Sequence, residues 1–160
     1  MTRLQQPPMD DTPLMEAHAE HLGRSGPKWW RWAIVAAYMA AIFTASAGPG
    51  VTLPPGRNWD KVLHAGAYGV MAALVTWAVT RGQLRRATGR MALVAAAIST
   101  LYGASDEVHQ LFVPGRQADL ADLAADAAGA CCAAGAILAW GIIARWSTSH
   151  DALRTPDRRP

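Results

Sequence analysis

WAIVAAYMAAIFTA, residues 32 to 45, decides the fold. The run carries no charged residue, and Tyr38 and Thr44 are its only polar breaks. A helix of a water-soluble bundle needs a polar face along its length, and this one has none. Extended to 29–47, it comes close to the roughly 20 mostly apolar residues that cross a hydrocarbon core of about 30 Å. Three further runs of this kind follow, at about 60–80, 91–113 and 119–146. Gly48-Pro49-Gly50 stops the first run and Pro114-Gly115 stops the third. The reading is an all-α polytopic membrane protein with four transmembrane helices. All four runs are rich in Ala, and small side chains let helices approach closely in lipid. Ala125, Gly129 and Ala133 form one such line at spacing four.

The 160 residues suffice for one domain. The expected organisation is a disordered cytoplasmic tail at 1–28, a four-helix transmembrane domain at 29–146 and a second disordered cytoplasmic tail at 147–160, because both ends are polar and charged. The first apolar run begins only after a long segment containing Asp, Glu and Pro, so it reads as an uncleaved anchor. Orientation follows from Lys and Arg. Arg24, Lys28 and Arg31 flank the first span, Arg81, Arg85, Arg86 and Arg90 fill the turn between spans two and three, and Arg145, Arg154, Arg158 and Arg159 follow the fourth. The other two loops hold only Arg57, Lys61 and Arg116. Both termini and the Arg-rich turn therefore face the cytoplasm. Trp29, Trp30, Trp59, Trp140 and Trp146 lie near span ends, as an interfacial belt requires.

The formal net charge of +3 reflects those flanking arginines. No basic stripe interleaved with aromatics is present, which argues against a nucleic-acid partner. Cys131 and Cys132 are adjacent, so their side chains point about 100° apart on a helix and do not suit a mutual disulfide. They read as small buried side chains.

Polar residues interrupt the apolar runs at a common depth. At 1.5 Å per residue, His64 lies ~6 Å inward from Asp60, His109 and Gln110 lie ~5 to 6 Å below the outer end of span three, Asp106 lies ~10 Å below it, and Asp122 and Asp126 lie ~5 and ~10 Å inward from Asp119. Each set shares a helical face: Asp60, His64 and Tyr68; Tyr102, Asp106, His109 and Gln110; Asp119, Asp122, Asp126 and Gly129. Glu107 is turned about 100° from Asp106. The expected site is an outward-open polar pocket between spans two, three and four, with span one as scaffold. Its residues are Asp60, Lys61, His64, Tyr68, Asp106, Glu107, Gln110, Arg116, Asp122 and Asp126. Asp60 and Asp119 also suit plain helix N-caps. The layer holds a surplus of carboxylates, which raised carboxyl pKa values, a bound cation or a cationic ligand would relieve. His64, Glu107, His109 and the aspartates could supply metal ligands, but no HExxH-type spacing occurs, so no metal or cofactor is assigned from sequence.

The pattern Asp60-Lys61-x-x-His64-x-x-x-Tyr68, Asp106-Glu107-x-x-Gln110, Pro114-Gly115-Arg116, Asp119-x-x-Asp122 and Gly129 resembles the VanZ-like family, over about Trp29 to Ala144. The resemblance implies a small multi-span bacterial envelope protein. The founding member of that family is associated with low-level resistance to the glycopeptide teicoplanin. The family often has Asn where this chain has Asp126.

Three functions compete. The first is a binding or protective protein whose pocket takes a membrane lipid headgroup, a lipid-linked envelope precursor or a glycopeptide. The second is a hydrolase or transferase acting on a lipid-linked phosphate, with His64 or His109 as base, Asp106 or Asp122 as its orienting partner and Arg116 as phosphate clamp. The third is proton-coupled transport, for which a homo-oligomer would have to supply the path, since no span carries an acidic residue in its inner half. The first is favoured.

Overall fold

The computed structural model describes residues 29–48 and 59–154, the side chains of 149–154 excepted. The tail at 1–28, the segment from 155 onward and the loop containing Arg57 lie outside the described residues, as do Arg24, Lys28, Arg158 and Arg159. Among the described residues four α-helices follow one another: α1 Trp30–Ser46, α2 Trp59–Val79, α3 Gly89–Gln110 and α4 Leu120–Arg154. A single 3-10 turn, Leu84–Arg86, lies between α2 and α3. No strand occurs among the described residues.

Local chemistry accounts for the breaks. After α2 the chain turns through Arg81 and Gly82, both at positive φ (56° and 83°). Thr88 then caps α3, its hydroxyl accepting from the Met91 N–H at 3.4 Å. α3 ends at Gln110, three residues before the expected stop. Reverse turns carry the chain to Gly115, whose φ of 81° suits glycine. Asp119 caps the next helix, its Oδ1 accepting from the Ala121 N–H at 2.8 Å. α4 does not stop at residue 146. It continues to Arg154, because residues 147–154 contain neither Gly nor Pro and polar side chains alone do not end a helix.

Among the described residues, two helices are long and apolar enough to cross a bilayer, Trp59–Val79 and Leu120–Thr148. α1, with 17 residues, spans about 26 Å, and α3 carries Asp106 and Glu107 in its last turns. The packing is the reverse of that in a soluble bundle. The buried apolar set is dominated by alanine (Ala72, Ala78, Ala92, Ala95, Ala96, Ala130, Ala134) around Tyr68, Met71 and Val75. The large apolar side chains face out: Leu93 and Leu101 are each 70% exposed and Phe112 80%. Cys131 and Cys132 are exposed as well, which corrects the expectation that they are buried.

α2 and α4 form the tightest pair. A Cβ on Gly129 would collide with the backbone carbonyl of Ala65, and one on Gly69 would come within 3.3 Å of the Gly129 carbonyl oxygen. The small-residue line through Gly129 is thus a helix interface. One end of the bundle collects arginine and tryptophan. Trp30 meets Trp77 edge to face at 5.1 Å, and the Arg31 guanidinium lies 5.1 and 5.8 Å from those two rings. Arg85 donates to the Ala144 carbonyl at 3.0 Å, and Arg145 donates to that of Arg85. The acidic layer lies at the opposite end.

Candidate functional site

Four helix ends and the α3–α4 loop build the polar end. The first two turns of α2 supply Asp60, Lys61 and His64. The Lys61 ammonium reaches Asp119 and Asp122, each at 2.6 Å, and Asp60 at 3.1 Å, so it ties the start of α2 to the start of α4. That ammonium, helped by the Ala121 N–H, holds the Asp119 carboxyl below its ordinary pKa. One turn further along α2, His64 Nδ1 stands 3.0 Å from Asp126 Oδ1, and His64 Nε2 stands 3.8 Å from Asp122 Oδ2. Asp126 is fully buried, and Gly103 makes room for it: a Cβ there would come within 2.7 Å of Asp126 Oδ2.

The two neighbouring carboxylates of α3 serve different helices, as their 100° offset requires. Asp106 turns to α1, where its Oδ1 accepts from the Ser46 hydroxyl at 2.5 Å and its Oδ2 from Gln110 Nε2 at 3.2 Å. Glu107 turns to α4, its Oε2 accepting from the Asp119 backbone N–H at 2.8 Å. Both are buried.

A cavity of about 250 Å³ opens beside this layer. Ile42, Ala45, Leu63 and Ala67 form its apolar wall, and Ser46, Asp60, His64, Tyr68, Asp106, Gln110 and Arg116 supply its polar groups. It therefore lies between α1, α2 and α3, with Arg116 from the following loop. α4 contributes nothing to its lining, and α1 is more than scaffold, which corrects the pocket expected between spans two, three and four. Arg116 is fixed by donating to the Gly48 carbonyl at 3.3 Å. Tyr68 is almost wholly buried and its hydroxyl has no hydrogen-bond partner among the described residues.

Asp60, His64, Tyr68, Asp106, Gln110 and Arg116 thus meet at the cavity. Lys61, Glu107, Asp122 and Asp126 form an adjoining cluster between α2, α3 and α4, and His64 belongs to both. His109 stands apart, stacked on Phe43 with ring centroids 4.2 Å apart. Ser46 is the residue that sequence reasoning missed. Its position in the last turn of α1, at the same depth as Asp106, is the signal that points to it.

An all-helical bundle with large apolar side chains outside, small ones inside and a buried polar layer at one end defines a class of helical membrane protein. The chain belongs to the VanZ/LLP1 family, whose profile matches residues 18–144. No curated protein and no solved structure matches it.

Proposed function

We propose that the protein is a multi-pass component of the bacterial cytoplasmic membrane, with both termini and the Arg81–Arg90 turn in the cytoplasm. Its outward cavity takes the polar headgroup of an envelope lipid or lipid-linked precursor. Through that contact it contributes to tolerance of glycopeptide-type antibiotics. The observation that carries this reading is the lining of the cavity: an apolar wall for a lipid chain beside the Asp106, Ser46, Gln110 and Arg116 cluster, with the Tyr68 hydroxyl left without a partner. The arginines and tryptophans gathered at the other end support the orientation. Family membership supports the envelope setting.

Asp106→Asn keeps an acceptor for Ser46 but removes the negative charge and turns an amide toward Gln110. A deletion strain complemented with this variant is expected to remain as sensitive to glycopeptides as the uncomplemented strain, at equal protein level by immunoblot, while the wild-type gene restores tolerance. Full rescue by the variant, or no phenotype from the deletion against any envelope-active agent, counts against the reading.

The hydrolase or transferase reading is favoured by one contact. Asp126 fixes the His64 ring through Nδ1 and leaves Nε2 free to take a proton from water or a hydroxyl. Purified protein given a lipid-linked diphosphate, with and without divalent metal, is then expected to release phosphate, and His64→Gln to abolish release. No turnover by the wild-type protein removes this second reading.

A further inference from the structure

His64, Glu107 and Asp122 come from three different helices, and one ligand-type atom of each lies within 4.8 Å of the others. An imidazole nitrogen with two carboxylate oxygens is a donor set for divalent transition ions. Such ions hold their ligands at about 2.0–2.2 Å, so adjacent donors stand roughly 3–3.6 Å apart. A contraction of about 1 Å separates that geometry from this one, within the reach of side-chain rotation.

Three observations beyond the clustering point to an ion. Glu107 is more than nine-tenths buried, and its Oε1 has no partner among the described residues, while Oε2 is taken by the Asp119 N–H. A buried carboxylate oxygen without a donor is costly, and a cation supplies what it lacks. Asp122 divides its two oxygens. Lys61 holds Oδ1 at 2.6 Å, while Oδ2 faces His64 Nε2 across 3.8 Å, too far for a hydrogen bond and wide enough for an atom bound to both. Finally, His64 has a buried carboxylate at its other ring nitrogen, Asp126 Oδ1 at 3.0 Å. A proton shared there leaves the Nε2 lone pair directed at Asp122, the carboxylate–imidazole–metal arrangement that orients a ligating histidine. Glu107, Asp122 and Asp126 also bring more negative charge than Lys61 offsets.

We propose that His64 Nε2, Glu107 and Asp122 bind a divalent transition ion, zinc or manganese, beneath the outward end of the bundle, with Asp126 as the positioning residue for His64. The sequence carries no metal-binding spacing, because the three ligands come from separate helices. His64 also lines the cavity, so the ion borders it. The proposal does not depend on the headgroup reading, since the ion is measured with no ligand added.

The test uses the full chain in detergent, stripped with chelator and titrated calorimetrically with Zn²⁺ and Mn²⁺. One ion per chain is expected. Glu107→Gln and Asp122→Asn are each expected to weaken binding about 100-fold or more, and Asp126→Asn about 10- to 100-fold. A variant lacking Cys131 and Cys132 keeps the wild-type affinity, which separates this site from the exposed thiols. If a ligand variant does not fold, Co²⁺ bound to the wild-type protein decides, because its ligand-field bands and paramagnetically shifted imidazole signals report histidine coordination directly. No stoichiometric ion on the wild-type protein, or Co²⁺ without histidine signals, overturns the proposal. So does binding that survives both carboxylate substitutions.

Discussion

Gly129→Val is expected to leave little or no folded protein in the membrane fraction. The obstacle is backbone: a Cβ at 129 would overlap the Ala65 carbonyl, which lies within the hydrogen-bonded backbone of α2. Flexible side chains yield cheaply to an added methyl group, but a helix backbone moves only as a unit. Typical overpacking costs about 1–3 kcal/mol, and a collision with backbone should exceed about 3 kcal/mol. The collision belongs to Cβ itself, so Gly129→Ala should suffer it as well, to a smaller degree. Gly135→Ala is the control, because nothing lies within 4 Å of its added Cβ on the same helix. That change should be neutral or slightly stabilising, since Ala has the better helix propensity. Thermal denaturation in detergent and yield from membranes measure all three. Gly129→Ala and Gly129→Val melting with the wild-type protein would show that α2 and α4 do not meet at this point.

The consequence reaches the site. Ala65 adjoins His64, and Gly129 lies one turn beyond Asp126, so the contact that admits no Cβ also sets the His64–Asp126 distance of 3.0 Å. Gly103 plays the parallel part on α3, where any Cβ would press on the Asp126 carboxylate. Two glycines on two helices therefore fix a buried aspartate against a histidine on a third.

The four helices were legible because apolar runs and Gly/Pro stops mark them directly. The polar layer was legible because helix rise converts sequence spacing into depth. Depth does not give azimuth between helices, so the pairings were not legible. Asp106 and Glu107 share a depth, yet one meets Ser46 and the other the Asp119 N–H. The pocket was consequently expected one helix away from where it lies. Cys131 and Cys132 were misjudged for a related reason. In an Ala-rich helix flanked by lipid on one side and protein on the other, both surroundings are apolar, so hydropathy carries little information about which face is buried. Ser46 passed unnoticed because a single serine at the end of a span reads as a boundary. The extension of α4 to Arg154 was missed because polarity marks the end of a span, and helices outlast spans.

Lys61→Met should be the most damaging single substitution among the charged residues of the polar end. Among the described residues, the Lys61 ammonium is the cation bonded to Asp60, Asp119 and Asp122 together. Removing one partner of a fully buried pair costs about 3–5 kcal/mol, because the remaining charge keeps its desolvation penalty. Lys61 is about one quarter exposed, so solvent screens part of this, and about 2–4 kcal/mol is expected. The loss falls mainly on Asp122, the least exposed of the three carboxylates, and the exposed Asp119 adds little. Lys61→Arg should recover part of the stability, since it keeps the charge but does not reproduce a compact ammonium between two oxygens at 2.6 Å. The acid limb provides a second measurement. The Asp119 carboxyl is held below its ordinary value of 3.8, chiefly by Lys61. Its contribution is therefore complete above about pH 4 and disappears as pH falls through the lower folded value. Lys61→Met weakens that hold, so its stability should fall less steeply on acidification than that of the wild-type protein, from a lower starting point at neutral pH. A Lys61→Met protein as stable as wild type at pH 7, with an unchanged acid limb, would mean that the ammonium does not tie α2 to α4.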